Sequence, residues 1–117
     1  MSSQSMTAGF SFPSLVKEIR QFGLTSAEIG QITGVRERQV HNWAAGSSRP
    51  TSSARDRLVD IHYILRELQH VYRPEGIEIW IHARNPELNG CRPIDVLVSG
   101  DFEAVVEAVR RLQAGAA

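Results

Sequence analysis

Between Arg36 and Asn42 the chain carries Arg36, Glu37, Arg38, Gln39 and Asn42, with His41 among them. Each type can address a base edge. Arg reaches guanine O6 and N7 in a two-pronged bond, Asn and Gln do the same to adenine, and Glu accepts from cytosine. Val40 and Trp43, three apart, mark an apolar face, so the polar residues share the outer face of a helix. Arg49, Arg55 and Arg57 follow, and guanidinium groups there suit backbone phosphates. The plain alternative is a solvated surface helix, since polar outer faces are common.

A helix that reads bases must be held by a partner. Residues 25–46 supply one. Thr25 or Ser26 caps a short helix, with Glu28 placed for a capping box. Ile29 and Ile32 face inward, and Gly30 is small where two helices cross. Gly34 supplies the turn, Val35 packs beneath it, and Gly46 stops the second helix. This is the plan of a helix-turn-helix, whose second helix enters the major groove. From Thr25 to Gly46 the spacing resembles the phage-repressor (Xre-like) helix-turn-helix, on Ala27, Ile29, Gly34, Val40, Trp43 and Gly46. One such unit binds weakly, and specificity ordinarily needs two on a palindromic site.

Flanking segments are also helical by pattern. Pro13, Leu15, Ile19 and Phe22 predict a helix from Phe12 to the stop at Gly23, after a Ser-rich tail (1–11) expected to be disordered. A Ser, Thr and Pro linker spans 47–53. A long helix is then predicted from about Ser52 to Tyr72, ended by Pro74. Leu58, Ile61, Leu65, Leu68 and Tyr72 follow a 3, 4, 3, 4 spacing, a seam suited either to a homodimer or to an internal core. Val59, Ile64 and Val71 widen its apolar surface, so the helix is expected to pack on two sides.

Residues 77–82, IEIWIH, alternate like a strand. The stretch is short and no convincing second strand could pair with it, so a helix or irregular packed turn is expected. RNPELNGCRP (84–93) is a shaped loop. A short helix at 93–99 starts on Pro93, and Asp101 caps a last helix with Phe102, Val105, Val109 and Leu112 inward, ended by Gly115. The fold class is all-α, with five or six helices. The expected division is a tail (1–11), a helix-turn-helix domain (12–50), a linking or dimerisation helix (51–73) and a C-terminal domain (74–117).

Composition excludes much. Apolar residues make up 42% of 117, enough for a packed interior, yet no run nears the ~18 needed to cross a bilayer. No signal peptide is evident and the single Cys91 forms no internal disulfide, so a cytoplasmic protein is expected. There is no phosphate loop, nucleophile elbow or metal-binding His pair. His62 and His70 lie roughly 12 Å apart along one helix, and Cys91 has no base near it. No enzyme, cofactor or metal is expected. Net charge is zero, but residues 1–57 hold seven basic and four acidic side chains against six and nine in 58–117. Phosphate binding needs only a local basic face.

WIHARNPELNGCRPIDVLVSG (80–100) carries Trp80, Asn85, Pro86, Leu88, Gly90, Pro93, Ile94, Asp95, Leu97 and Gly100 in an order that resembles the C-terminal domain of Xre/MbcA/ParS-type antitoxins. Asn89-Gly90 stands where that family usually has a double glycine. With the helix-turn-helix and the linking helix, the resemblance covers roughly residues 13–113. It implies a RES-domain toxin as partner, an NAD-consuming enzyme blocked by the antitoxin, with the complex repressing its own operon at operator DNA. The residues then expected to meet the toxin are Trp80, Asn85, Leu88, Arg92, Pro93, Asp95, Leu97, Arg110, Arg111 and Ala117. Asn85 and Asp95 read equally as scaffold. The end from Arg110 to Ala117 reads either as a cationic plug for an NAD site or as a frayed tail. The resemblance also accommodates a homodimer within a toxin–antitoxin hetero-oligomer. A competing reading is a stand-alone regulator whose second half dimerises or senses a ligand.

Overall fold

The computed structural model describes residues 11–116; the expected tail at 1–10 and Ala117 lie outside it. Helix α1 (Phe12–Gln21) opens on Ser11, whose hydroxyl accepts from the Ser14 amide, so Ser11 belongs to the fold rather than to a tail. Helix α2 (Ser26–Thr33) begins with a complete capping box: the Thr25 hydroxyl accepts from the Glu28 amide at 3.0 Å, and Glu28 accepts from the Thr25 amide at 2.9 Å. Gly34, at φ 81, turns the chain into α3 (Glu37–Ala45). Gly30 permits the close approach there, since a Cβ on it would lie 2.7 Å from the Val35 carbonyl oxygen.

Helix α4 (Ser52–Leu68) starts on the Thr51 hydroxyl and stops four residues before the Tyr72 expected from its seam. The reason is Pro74. The residue before a proline is driven to extended backbone, and Arg73 adopts it at ψ 167. The chain therefore has to leave the helix earlier, and it does so through tight bonds from His70 N to Glu67 O and Val71 N to Leu68 O. Pro74 does not end a helix but opens one, α5 (Pro74–His82), where its missing N–H costs nothing.

In α5 the Ile alternation resolves as helix. Ile77 and Ile81, one turn apart, are buried, while Ile79 points outward at 69% exposure. A 3₁₀ turn (Pro86–Leu88) follows, then α6 (Pro93–Val98) and α7 (Phe102–Ala116). Asp101 accepts from the Ala104 amide at the start of α7. Gly115 lies within α7 rather than ending it; an interior glycine weakens a helix by ~1 kcal/mol but does not by itself reverse the chain. Among the described residues there are thus seven α-helices and no strand, only a single bridge between Asn85 and Cys91. The molecule is all-helical, with α5 raising the helix number above the five or six expected.

One continuous core draws on every α-helix. Helix α4 packs on α1 and α2 along one side and on α7 along another. Leu58, Ile61, Leu65 and Leu68 are each at most 1% exposed. The seam offered for a dimer is therefore consumed inside the chain, because α7 occupies the second side. Helix α2 also touches α6, joining the two halves directly.

Candidate functional site

The outer face of α3 is built by its inner one. Val40, Trp43 and Ala44 are buried against α1 and α2, which leaves Arg36, Glu37, Arg38, Gln39 and His41 exposed and Asn42 half-buried. Along this face Glu37 accepts from His41 at 3.3 Å, and the Asn42 amide donates to Gln39 at 3.4 Å. Among the described residues Arg36, Arg38, Arg49 and Arg55 make no ion pair. Arg57 differs, since it lies 3.4 Å from Asp60. Arg55 and Arg57 are both exposed, but two residues on a helix are about 200° around its axis, so they point to opposite sides of α4.

The loop before α6 is organised by Asn85. Its side chain accepts from the Glu87 amide at 2.9 Å, its own amide donates to the Cys91 carbonyl at 3.0 Å, and its carbonyl accepts from Leu88 and Gly90. These four bonds make it the loop's hub. Leu88, Pro93 and Leu97 are buried; they shape the surface from beneath and do not present themselves to a partner in this conformation. Trp80 is half-buried against the core.

Asp95 and Arg92 stand outside, exposed, in a two-pronged pair at 2.8 and 2.9 Å. The hydrogen bond from Arg92 holds the Asp95 carboxyl below the usual carboxylate range, and the same bond raises the Arg92 guanidinium. Asp95 therefore answers Arg92 instead of capping α6, whose first amides have no side-chain acceptor.

Arg110 and Arg111 are residues of α7, not of a tail, and they do not act as a pair. Arg111 bonds Glu87 in the loop, which raises its guanidinium pKa, and lies 3.8 Å from Glu107. Arg110 turns to the other side, 3.8 Å from Glu107 and along a groove between α4 and α7. Ala117 lies outside the described residues.

Three contacts were not legible in the sequence. His62 Nε2 meets Glu18 at 3.2 Å, tying α4 to α1. His82 Nε2 meets Glu28 at 2.9 Å, tying α5 to the capping box of α2, while its Nδ1 meets the Glu78 carbonyl at 2.8 Å. Carbonyl and carboxylate only accept, so a ring holding both bonds donates from both nitrogens. Gln113 donates to the Glu67 carbonyl and carboxylate, fastening α7 to the end of α4. Partners separated by 44, 46 and 54 residues leave no local pattern. No group of three or more potential metal ligands exists among the described residues, and none of their helices is long and apolar enough to cross a membrane.

Models of known protein families give no match to the chain. Individual proteins do. Rv3188 of Mycobacterium tuberculosis, named a probable mycobacterial cidal antitoxin, is 31% identical over 102 residues, covering 87% of each chain. The mycobacterial cidal antitoxin MbcA of Mycobacterium bovis is 27% identical over 97 residues, 83% of this chain and 86% of that protein, and MbcA of M. tuberculosis matches equally. The fold superimposes with a TM-score of 0.75 on a chain in the crystal structure of the M. tuberculosis MbcT–MbcA toxin–antitoxin complex, at 26% identity, covering 88% of this chain and 94% of that one. Coverage from α1 through α7 by an antitoxin of the same helical plan leads to one conclusion: the chain belongs to the mycobacterial cidal antitoxin family.

Proposed function

We propose that this antitoxin binds and blocks a RES-domain toxin that degrades NAD, and that the complex represses its own operon through α2, the Gly34 turn and α3 acting as a helix-turn-helix. The observation that carries the toxin half is the likeness over nearly the whole chain to a protein solved within a toxin–antitoxin complex. RES identity rests on the resemblance of residues 80–100. The toxin-facing surface is the loop organised by Asn85 together with the exposed Arg92–Asp95 pair and the flank of Trp80, while Leu88, Pro93 and Leu97 support it.

The DNA half is supported by an exposed α3 face of base-reading side chains beside cations without an internal partner. Two copies on a palindrome would give that face its specificity.

The test is co-expression with the adjacent gene. The neighbour alone should halt growth and lower cellular NAD, and this chain should restore both and co-purify with it. A neighbour that is harmless alone, or toxicity that this chain leaves untouched, overturns the toxin half. Operator binding is read separately, by footprinting upstream of the operon.

A further inference from the structure

Helix α4 has a face that the fold leaves uncovered. With its seam buried, the opposite side presents Val59 at 47% and Tyr63 at 44% exposure. Tyr63 lies 6.3 Å from Phe102 of α7, ring centre to ring centre. Val59, Tyr63, Phe102 and Val106 line a shallow groove of about 320 Å³ between the two helices. The charges along it are ordered. Asp60 and Glu103 stand at one end and Arg110 at the other, about 10 Å further along α7 by helical rise. Negative charge is in local excess at the first end: Asp56 and Glu103 both act on Asp60, whose carboxyl is raised chiefly by burial and only partly relieved by Arg57.

A groove that is acidic at one end, apolar in the middle and basic at the other complements itself when rotated by half a turn. We infer that the Val59–Tyr63 face of α4, with the facing edge of α7, is where a second copy of this chain docks, in an antiparallel two-fold arrangement. The axis passes near Tyr63. The two apolar stripes cover each other, and Arg110 of each copy meets Glu103 and Asp60 of the other. A two-fold interface of this kind uses the same patch twice, so each favourable end contact is made twice. The inference deepens the dimeric part of the proposed operator binding, which gives it a purpose, but its evidence is the groove itself.

The experiment uses the full chain without toxin or DNA, so its outcome is independent of either. Sedimentation equilibrium of the wild type should show a monomer of 13.0 kDa passing to a dimer as concentration rises. Val59→Glu, at an exposed position that the core does not need, should weaken dimerisation by roughly tenfold or more, since burying an unpaired charge at an interface centre is costly. Arg110→Glu and Glu103→Arg should each weaken it through two like-charge contacts. An equimolar mixture of these two single variants should recover the dimer, because every contact between unlike copies is again opposite in sign. The double variant should also dimerise with itself. Helical circular dichroism equal to wild type excludes misfolding as the cause of any loss.

A wild type that stays monomeric to about 100 μM, where weak specific contacts already register, overturns the inference. So does a dimer indifferent to Val59→Glu, or single variants that do not rescue one another. If Val59→Glu instead abolishes co-purification with the toxin while the wild type is monomeric, the face belongs to the toxin and the inference fails while the proposed function stands.

Discussion

Arg38 and Arg55 carry the same side chain and serve different ends. Arg38 lies on the outer face of α3 among groups that can read bases, so Arg38→Ala should relax specificity at one base pair, by ~1–3 kcal/mol for a two-pronged contact. Arg55, at the start of α4, should act on phosphate. Arg55→Ala should weaken all sequences alike and lower the slope of log affinity against log salt by about 1. Binding titrations on operator and scrambled DNA over a salt series separate the two, and identical behaviour would refute the face assignment. Asp60 offers a prediction of a different kind. Burial raises its carboxyl, with Asp56 and Glu103 adding to the effect against Arg57. A raised folded value means the fold favours the protonated form. That contribution is complete below the ordinary carboxylate range and is lost as pH rises through the folded value. Asp60→Asn should therefore be slightly more stable at neutral pH, by under about 1 kcal/mol at so exposed a site, and the gain should vanish in acid. Thermal melts at dilute protein, from pH 3 to 7, follow it. At this scale the sequence shows which side chains can do chemistry, but not which are already engaged. Arg36 and Arg57 look alike in the chain, and only the fold reveals the Asp60 beside one of them.

At the scale of elements, the two glycines of the α2–α3 turn should fail differently. Gly34 has open space around it but a φ of 81, so Gly34→Ala meets only backbone strain, roughly 1–2 kcal/mol. Gly30 has ordinary helical backbone, but its Cβ would press on the Val35 carbonyl at 2.7 Å. Gly30→Ala should therefore push α3 away from α2, lowering stability and operator binding together, whereas Gly34→Ala lowers stability with affinity largely kept. Denaturation paired with a binding assay distinguishes them. Most elements were legible because caps and periods are local: Thr25 with Glu28, Pro13, Asp101, and Val40 with Trp43 each announce themselves within one turn. α5 was not. Ile77, Ile79 and Ile81 fit a strand by period, and their true reading depends on the α6 surface that covers two of them and leaves Ile79 in solvent. The early end of α4 had a local cause, Pro74 acting on Arg73, but the seam through Tyr72 masked it.

For the molecule as a whole, the core is undivided, and α7 completes it. Val105, Val106, Ala108 and Val109 are all buried, and Gln113 and Arg111 fasten the helix at both flanks. A chain truncated before Asp101 should lose cooperative folding, not merely toxin binding. Its thermal transition should broaden or vanish, and operator binding should fall with it. Surface changes at Arg92 or Asp95 are the way to probe the toxin contact with the fold intact. The family was legible in the order of residues from Trp80 to Gly100. The division of labour within that stretch was not, since Leu88, Pro93 and Leu97 look like candidate contacts until packing shows them facing inward.

Glu28 occupies an unusual place in this architecture. One of its oxygens begins α2 through the Thr25 amide, and the other receives His82 from the far half of the chain. The first turn of the DNA-facing pair and the last turn of α5 thus hang on one carboxylate. Any force that tilts α5 is delivered to the root of α2 within a single side chain, without passing through the core. Whatever seats itself beside Trp80 has a lever arm on the posture of α3, and loosening that lever at either end should leave both halves folded but deaf to one another.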